Sequence, residues 1–529
     1  MILNLIFLLF LIFNSYDAYK ILIFNPKFGH SHVNFVGQIA DTLVDAGHNV
    51  TVIVADMDLS IKHPGTKKAK IYHIPSDPVV ADLLTNKTRL KSMWETSPSV
   101  WAQLDMFNDF IKGQALSGKL IMNNEKLSKF VKEQKFDLGF TENINAFMLG
   151  LFKSWNIPAT VTGSAVGMSE YIYEVFGLHF PASHVPLMMQ GSHDKMTYKE
   201  RFQNLIGYIF MNTFFKHKIR KFQLVDEFDK KYGKGFYDPL RIAGDSSFIF
   251  LNSNPFLDIP GPRTSKMIEI SGIGIPEPKK LDDYWDKILS LKKHTVLISF
   301  GSLAKSSEML PLMKRGIIEA IKQLPEITFI WKYETPEDGY IDKLDNLILN
   351  KWIPQNDLLN DPRLSLFITH GGANSIAELS FRGVPAIAVP VFGDQFRNAK
   401  LIEKHKTGLV MDKKLLTDSN KLISNIKEIL TNQEYKKNAY LVSQRLNKRP
   451  IGSKQLLIEH VEFACEFGKL PVLDLEGRNM NFITFYNLDI ILPLMIIAIL
   501  ISILALLTVI KIFKFIFIKK DKVKKLKIN

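Results

Sequence analysis

Short apolar runs rich in β-branched residues alternate along the chain with stretches whose apolar positions recur every three or four residues. KILIFNP (20–26), a helical stretch over HVNFVGQIADTLVDAG (32–47) and HNVTVIVAD (48–56) form one strand–helix–strand unit, with Gly47 where a helix C-cap belongs. FDLGFTE (136–142) and IPATVTG (157–163) continue the set, and FIFLNSN (248–254) closes it. A second series opens at HTVLISFGS (294–302) and runs through ITFIWKY (327–333), LILNKW (347–352), LFITHGG (366–372) and AIAVPVF (386–392). Strands separated by helices build parallel, doubly wound sheets, whose ligands bind at the strands' carboxyl ends. Two such series in 529 residues predict two α/β domains. Between them, NPFLDIPGPRTSKMIEISGIGIPEPKK is rich in Pro and Gly without helical period and reads as the boundary. The domains are set at 19–275 and 294–445, with a linker over 276–293 and a return helix and juxtamembrane segment over 446–488.

Both termini depart from this pattern. ILNLIFLLFLIF (2–13), followed by small and polar residues, has the length of a signal-peptide core, which sets a signal peptide over 1–18. Ile490–Ile510 carries no charge, and as a helix its length of about 31 Å matches a hydrocarbon core. A transmembrane helix is therefore predicted over 489–510. The tail 511–529 holds eight lysines and one aspartate, marking the cytoplasmic side and a single-pass type I topology. Its Lys525-Leu-Lys527-Ile-Asn529 end fits a Lys-x-Lys-x-x retrieval signal for the endoplasmic reticulum, and a plain stop-transfer cluster explains the lysines as well.

The tail accounts for half of the formal net charge of +14, so the remainder is no nucleic-acid footprint. The single cysteine, Cys465, permits no internal disulfide and removes thiol nucleophiles and cysteine metal sites. Asn49 and Asn86 open glycosylation sequons, of which Asn86 is the expected acceptor because Asn49 opens a strand. GIG at 272–274 runs into Pro276, so a dinucleotide fingerprint is unsupported, and there is no Walker loop or His-Glu-x-x-His. Residues 165–215 are aromatic and apolar, fitting a buried helical layer, an apolar substrate pocket or a membrane-contacting face.

The chemistry concentrates in SLFITHGGANSIAELSFRGVPAIAVPVFGDQ (365–395). A strand delivers His370, and Gly371 and Gly372 turn the backbone into a helix whose N-terminus favours phosphate. Asn374 and Glu378, four apart, share one helix face; the carboxylate suits a ribose diol. Asp394 and Gln395 follow the next strand, equipped to bond sugar hydroxyls. Singly, each residue fits an ordinary crossover; together they outline a sugar-nucleotide pocket.

WIPQNDLL, LFITHGGANSIAE and GVPAIAVPVFGDQ together resemble the signature of the UDP-glycosyltransferases, in particular the membrane-bound UDP-glucuronosyltransferase branch. The resemblance implies two Rossmann-like domains facing a cleft (the GT-B arrangement), with acceptor bound by the first and UDP-sugar by the second. It implies that Trp352 stacks on uracil beside Gln355. His370, Gly371, Gly372, Asn374 and Ser302 would contact the diphosphate, Glu378 the ribose, and Asp394 with Gln395 the transferred sugar. Lys332 stands where many members have Arg, keeping the charge without the planar fork. Arg263 of PGPRTS resembles the residue facing glucuronate and would pair with the donor's carboxylate.

The same resemblance makes His32 the base, oriented by Glu142 where many members carry Asp. His30 would orient it or cap the helix. The expected reaction is an inverting displacement onto a lipophilic small molecule, in a detoxifying enzyme of the endoplasmic reticulum membrane with luminal catalytic domains. No metal or other cofactor is expected: UDP-sugar is a co-substrate, and the helix dipole with His370 would supply positive charge. A UDP-glucosyltransferase and a non-catalytic membrane-anchored binding protein are the alternatives, and the sequence leaves homo-oligomerisation open.

Overall fold

The computed structural model describes residues 18–85, 93–95, 104–215, 220–341 and 343–526. The signal segment and Asn86 lie outside the described residues. Two compact units result, 1–474 and 475–529.

The first unit holds two all-parallel sheets. One contains β1 (Lys20–Lys27), β2 (Asn49–Asp56), β3 (Lys70–Ile74), β4 (Leu138–Glu142), β5 (Ala159–Ser164), β6 (Ile249–Leu251) and β7 (Met267–Glu269), in the order β3-β2-β1-β4-β5-β6-β7. The other contains β8 (His294–Ser299), β9 (Ile327–Lys332), β10 (Leu347–Asn350), β11 (Leu364–Thr369), β12 (Ala386–Ala388) and β13 (Gly408–Val410), in the order β10-β9-β8-β11-β12-β13. Helices cover both faces, so the central strands are apolar without alternation. In β1 the two-residue period still divides the core: Leu22 and Phe24 pack with Phe147 and Phe152, whereas Ile21 and Ile23 pack with Val36 and Ile39.

β3, β7 and β13 are additions to the expected strands. β3 is half-exposed and mixed in character, and β7 and β13 are three residues each, too short for periodicity to register. The Pro- and Gly-rich boundary stretch thus contributes the last strand of the first sheet. Segment 276–293 carries the helix Asp283–Leu289, capped by Asp282 onto the Trp285 N–H at 3.0 Å. Its Trp285, Ile288 and Leu289 are buried in one cluster with Leu297, Ile330 and Phe367 of the second domain.

After the second sheet the chain crosses back. Helix Ser453–Phe467 buries Leu457, Val461 and Ala464 completely, against Ile21, Val52 and Leu138 of the first sheet. At its entry Ser453 Oγ donates to the Ser271 carbonyl at 2.8 Å and Arg449 to the Glu269 carbonyl at 3.2 Å. The second unit is dominated by helix Leu488–Leu526, of which Leu488–Phe517 is long and apolar enough to cross a membrane.

Leu457→Ala is expected to destabilise the protein by about 2–5 kcal/mol, because it empties a fully buried site shared by the return helix and the first sheet. Denaturant unfolding of the purified protein measures this, and a loss within experimental error of zero would refute the packing argument.

Candidate active site at two facing switch points

In each sheet the connections diverge on either side of one strand, between β1 and β4 and between β8 and β11. Such a divergence leaves a crevice beyond the carboxyl ends of those strands. In the first sheet β1 runs into helix His30–Asp45, which starts two residues before His32, and β4 ends on Glu142. His32 Nδ1 lies 2.8 Å from Glu142 Oε2 and 3.1 Å from Oε1. Glu142 is buried, and its Oε1 also accepts the Ala165 N–H at 2.9 Å. The longer acid therefore spans from β5's end to the imidazole, and the ring turns Nε2 away from it. Phe28 packs on the ring at a centroid distance of 4.6 Å.

Burial alone would favour the neutral His32 ring. The Glu142 charge and hydrogen bond, with the charge of Asp394, outweigh it and hold the pKa above its ordinary value. Asp394 follows β12 of the other domain, so the two strand ends converge. Burial pushes the Asp394 carboxyl up, countered by an Asn398 hydrogen bond of 2.6 Å and by His32.

In the second sheet Gly301 and Gly371 have φ of +82° and +80°, a region costly for other residues. A Cβ on Gly301 or Gly372 would come within 2.6 and 2.5 Å of the His370 ring. These glycines thus wrap His370 at the start of helix Ala373–Arg382, whose N-cap Gly372 supplies no side-chain cap. Lys332 Nζ donates to the Gly301 carbonyl at 2.6 Å and lies 3.6 Å from Glu334. Burial lowers the Lys332 pKa, and Glu334 opposes that shift. His370 falls to about 4, first through burial and then through the Lys332 charge. The expectation that His370 supplies positive charge is therefore corrected. The ring is neutral at neutral pH, and the positive potential comes from the helix N-terminus and Lys332.

Further along this surface Trp352 is 76% exposed, a ring offering an open face. Gln355 Nε2 donates to Glu378 Oε2 at 2.5 Å, and burial raises the Glu378 pKa. Ser302 is exposed and Asn374 half-buried on the first turn of its helix. Gln395 is buried with its carboxamide oxygen committed to the Val391 and Phe392 N–H groups, at 2.9 and 3.1 Å, leaving the amide nitrogen as its donor. Arg263 has its polar partners close by in the chain or within the first domain: the Pro262 carbonyl at 3.1 Å, Tyr173 Oη at 3.5 Å and Glu269 at 3.7 Å.

Three features take roles that sequence reasoning did not assign. His30 bonds His63 across 3.2 Å instead of capping, as the N-cap is Gly29. Arg397, buried and 3.4 Å from Asp258, contributes charge at Asp394, and its place three residues after Asp394 was the available clue. Trp94 crosses into the second domain's core, donating to the Lys305 carbonyl at 3.0 Å beside Phe300. Of the aromatic stretch 165–215, Ile172, Tyr173, Phe176 and Phe180 belong to the first domain's core. Among the described residues no three His, Cys, Asp or Glu side chains group to hold a metal ion.

A family model described as UDP-glucoronosyl and UDP-glucosyl transferase matches residues 19–525. The chain belongs to this family. It is a UDP-glycosyltransferase, with a UDP-sugar donor and an acceptor as its substrates. It is 30% identical over 500 residues to "Putative UDP-glucuronosyltransferase ugt-47" of Caenorhabditis elegans, covering 93% of this chain and 92% of that one. Against UDP-glucuronosyltransferase 1A7 of Mus musculus the identity is 26% over 468 residues, with 87% and 86% covered. The crystal structure of the glycotransferase of kitacinnamycin superposes with a TM-score of 0.56 at 16% identity, covering 84% of this chain and 99% of that one. The enzyme thus shares the two-domain GT-B fold.

The raised pKa of His32 gives a signed stability test. A group whose pKa rises on folding stabilises the fold fully below its unfolded value, near 6.5, and loses that contribution as pH climbs through the folded value. The Tm gap between the enzyme and His32→Gln is expected to be widest near pH 6 and to shrink towards pH 9. A gap that widened with pH would reverse the assignment.

Proposed function

We propose that this enzyme transfers a glucuronosyl group from UDP-glucuronate to a lipophilic small-molecule acceptor, with inversion at the anomeric carbon. The observation that carries the mechanism is the His32 Nδ1–Glu142 pair at 2.8 Å, with Asp394 acting on the same imidazole from the other domain. Glu142 fixes the tautomer and stabilises the imidazolium, so Nε2 is the atom that takes the acceptor's proton. The acceptor oxygen then forms its bond to the anomeric carbon as the bond from that carbon to the diphosphate oxygen breaks. UDP departs with the electron pair into the helix terminus at Gly371–Gly372, where uncapped N–H groups and Lys332 stabilise its charge.

In this reading the first domain binds acceptor and the second binds donor. Trp352 stacks on uracil beside Gln355, Glu378 holds the ribose, and His370, Asn374 and Ser302 hydrogen-bond the diphosphate. Asp394 and the amide nitrogen of Gln395 hold the transferred sugar. The reaction needs no metal or resident cofactor. The apolar helix and its lysine-rich end support a type I anchor, and we assign the catalytic domains to the lumen of the endoplasmic reticulum.

The pairing of Arg263 with Glu269 favours one alternative, a glucosyltransferase, because it occupies the cation the sequence offered to a glucuronate carboxylate. Donor turnover decides between them: membranes carrying the enzyme receive UDP-glucuronate, UDP-glucose or UDP-N-acetylglucosamine with a panel of phenols and sterols. Preference for UDP-glucuronate is expected, and preference for UDP-glucose would overturn the donor assignment. His32→Ala is expected to lower kcat/KM by about 10²–10⁴-fold while leaving UDP affinity intact. Tight UDP binding without transfer to any acceptor would instead favour a binding protein. Trp352→Ala is expected to raise the KM for donor about tenfold with little change in kcat, the worth of one base–aromatic stack.

A further inference from the structure

Residues 300–310 connect β8 to helix Pro311–Lys322 and leave the second sheet at its switch point. This loop wraps around Lys332. Its start accepts the ammonium, Nζ lying 2.6 Å from the Gly301 carbonyl, and its far side returns the contact, Ser306 Oγ donating to the Lys332 carbonyl at 3.0 Å. Ser306 is buried and also accepts the Trp331 indole N–H at 3.0 Å, while the Ser307 N–H donates to Glu334 at 3.1 Å. Between these fastenings stands Lys305.

The backbone of Lys305 is held from the other domain. Trp94, 1% exposed, donates its indole N–H to the Lys305 carbonyl at 3.0 Å and packs edge-on against Phe300 at a centroid distance of 5.3 Å. Lys413 Nζ on the Met93 carbonyl, at 2.6 Å, fixes the segment that brings the tryptophan across. The side chain of Lys305 is half-buried, and among the described residues no carboxylate pairs with it, whereas Lys332 has Glu334 at 3.6 Å.

Its surroundings carry the same sign. The Lys305 charge acts on Lys332, and both act across the cleft on His30. Burial first, then His63, then these two lysines hold the His30 ring below its ordinary pKa, against Asp58. A cleft lined by charges of one sign gathers the opposite sign. The enzyme's donor brings that charge in its diphosphate and, when the sugar is a hexuronate, in a carboxylate as well. Arg263 is engaged by Glu269, which leaves Lys305 as the lysine beside this cleft with no acidic partner.

We propose that Lys305 is a donor-binding residue whose ammonium pairs with an anionic oxygen of the UDP-sugar, and that Trp94 of the first domain is the positioning residue that sets it there. The proposal rests on the reading of this cleft as the donor site. A diphosphate oxygen and a sugar carboxylate offer a lysine the same charge-assisted hydrogen bond. Because the loop is fastened to the first domain, donor affinity is a property of both domains together.

The test uses the full chain reconstituted in lipid nanodiscs, with calorimetric binding of UDP, UDP-glucose and UDP-glucuronate. Lys305→Met keeps the aliphatic stem and removes the charge. It is expected to weaken binding about tenfold, the worth of one hydrogen bond to a charged group, and Lys305→Arg is expected to restore most of it. Equal weakening of all three ligands assigns the contact to the diphosphate; weakening of UDP-glucuronate alone assigns it to the carboxylate. Trp352→Ala runs beside it. If that variant loses affinity and Lys305→Met does not, the proposal is overturned and the donor reading stands; if neither loses affinity, both are overturned. Trp94→Phe keeps a ring against Phe300 and drops the N–H. It is expected to raise the donor KM severalfold at unchanged kcat, and to add nothing in the Lys305→Met background. A lower Tm at unchanged KM, or full additivity of the two substitutions, would refute the positioning role.

Discussion

Parallel strands need crossover connections, and a sheet built by crossovers in both directions has one place where they part. That constraint fixes the working end of each domain here. Between β1 and β4 it leaves room for His32 and Glu142 to approach from two elements, and between β8 and β11 it leaves room for the Gly301, His370 and Gly371–Gly372 turns. Each follows its strand within a few residues, so the precision of the strand register passes directly to the reacting groups.

Under the proposed mechanism the two histidines would serve opposite ends of the displacement, and their surroundings differ accordingly. Both are penalised by burial. His32 meets Glu142 and Asp394, so its charged form is stabilised; His370 meets Lys332, so its charged form is suppressed to a pKa of about 4. One is suited to gaining a proton as the acceptor attacks. The other is a buried ring held neutral, placed to hydrogen-bond rather than to carry charge. Environments that push like groups apart in this way are a means of dividing acid–base roles.

Much of this was legible in the sequence because the determining interactions are local. The central strands announce themselves as β-branched runs, and the His-Gly-Gly turn and Asp394–Gln395 sit where strands end. What was not legible depends on contacts distant in sequence. The His370 charge was misjudged because burial and Lys332, 38 positions earlier, set it. β7 was hidden because three residues inside a Pro- and Gly-rich stretch have no period, and only pairing with β6 makes them a strand. The resemblance set Arg263 toward the donor's carboxylate, and no spacing showed that Glu269 and Tyr173 would engage its guanidinium.

The proposed division of base and donor pocket between the domains requires them to hold a fixed separation, since a displacement of about 1 Å can cost a hundredfold in rate. The polar contacts across the cleft do not supply that rigidity alone. Lys404–Asp194 at 2.6 Å and His193–Glu403 at 3.0 Å are partly exposed pairs of a kind that contributes about 0–1 kcal/mol. Two apolar contacts are larger. Trp94 is buried in the second domain's core, with Lys413 Nζ on the Met93 carbonyl at 2.6 Å beside it, and deleting a buried tryptophan side chain costs about 3–5 kcal/mol. The return helix fastens the other side by placing Leu457 and Val461 in the first domain's core. The ordering of magnitudes makes these two apolar insertions the fixtures, ahead of the ion pairs of helix Gln395–Lys404.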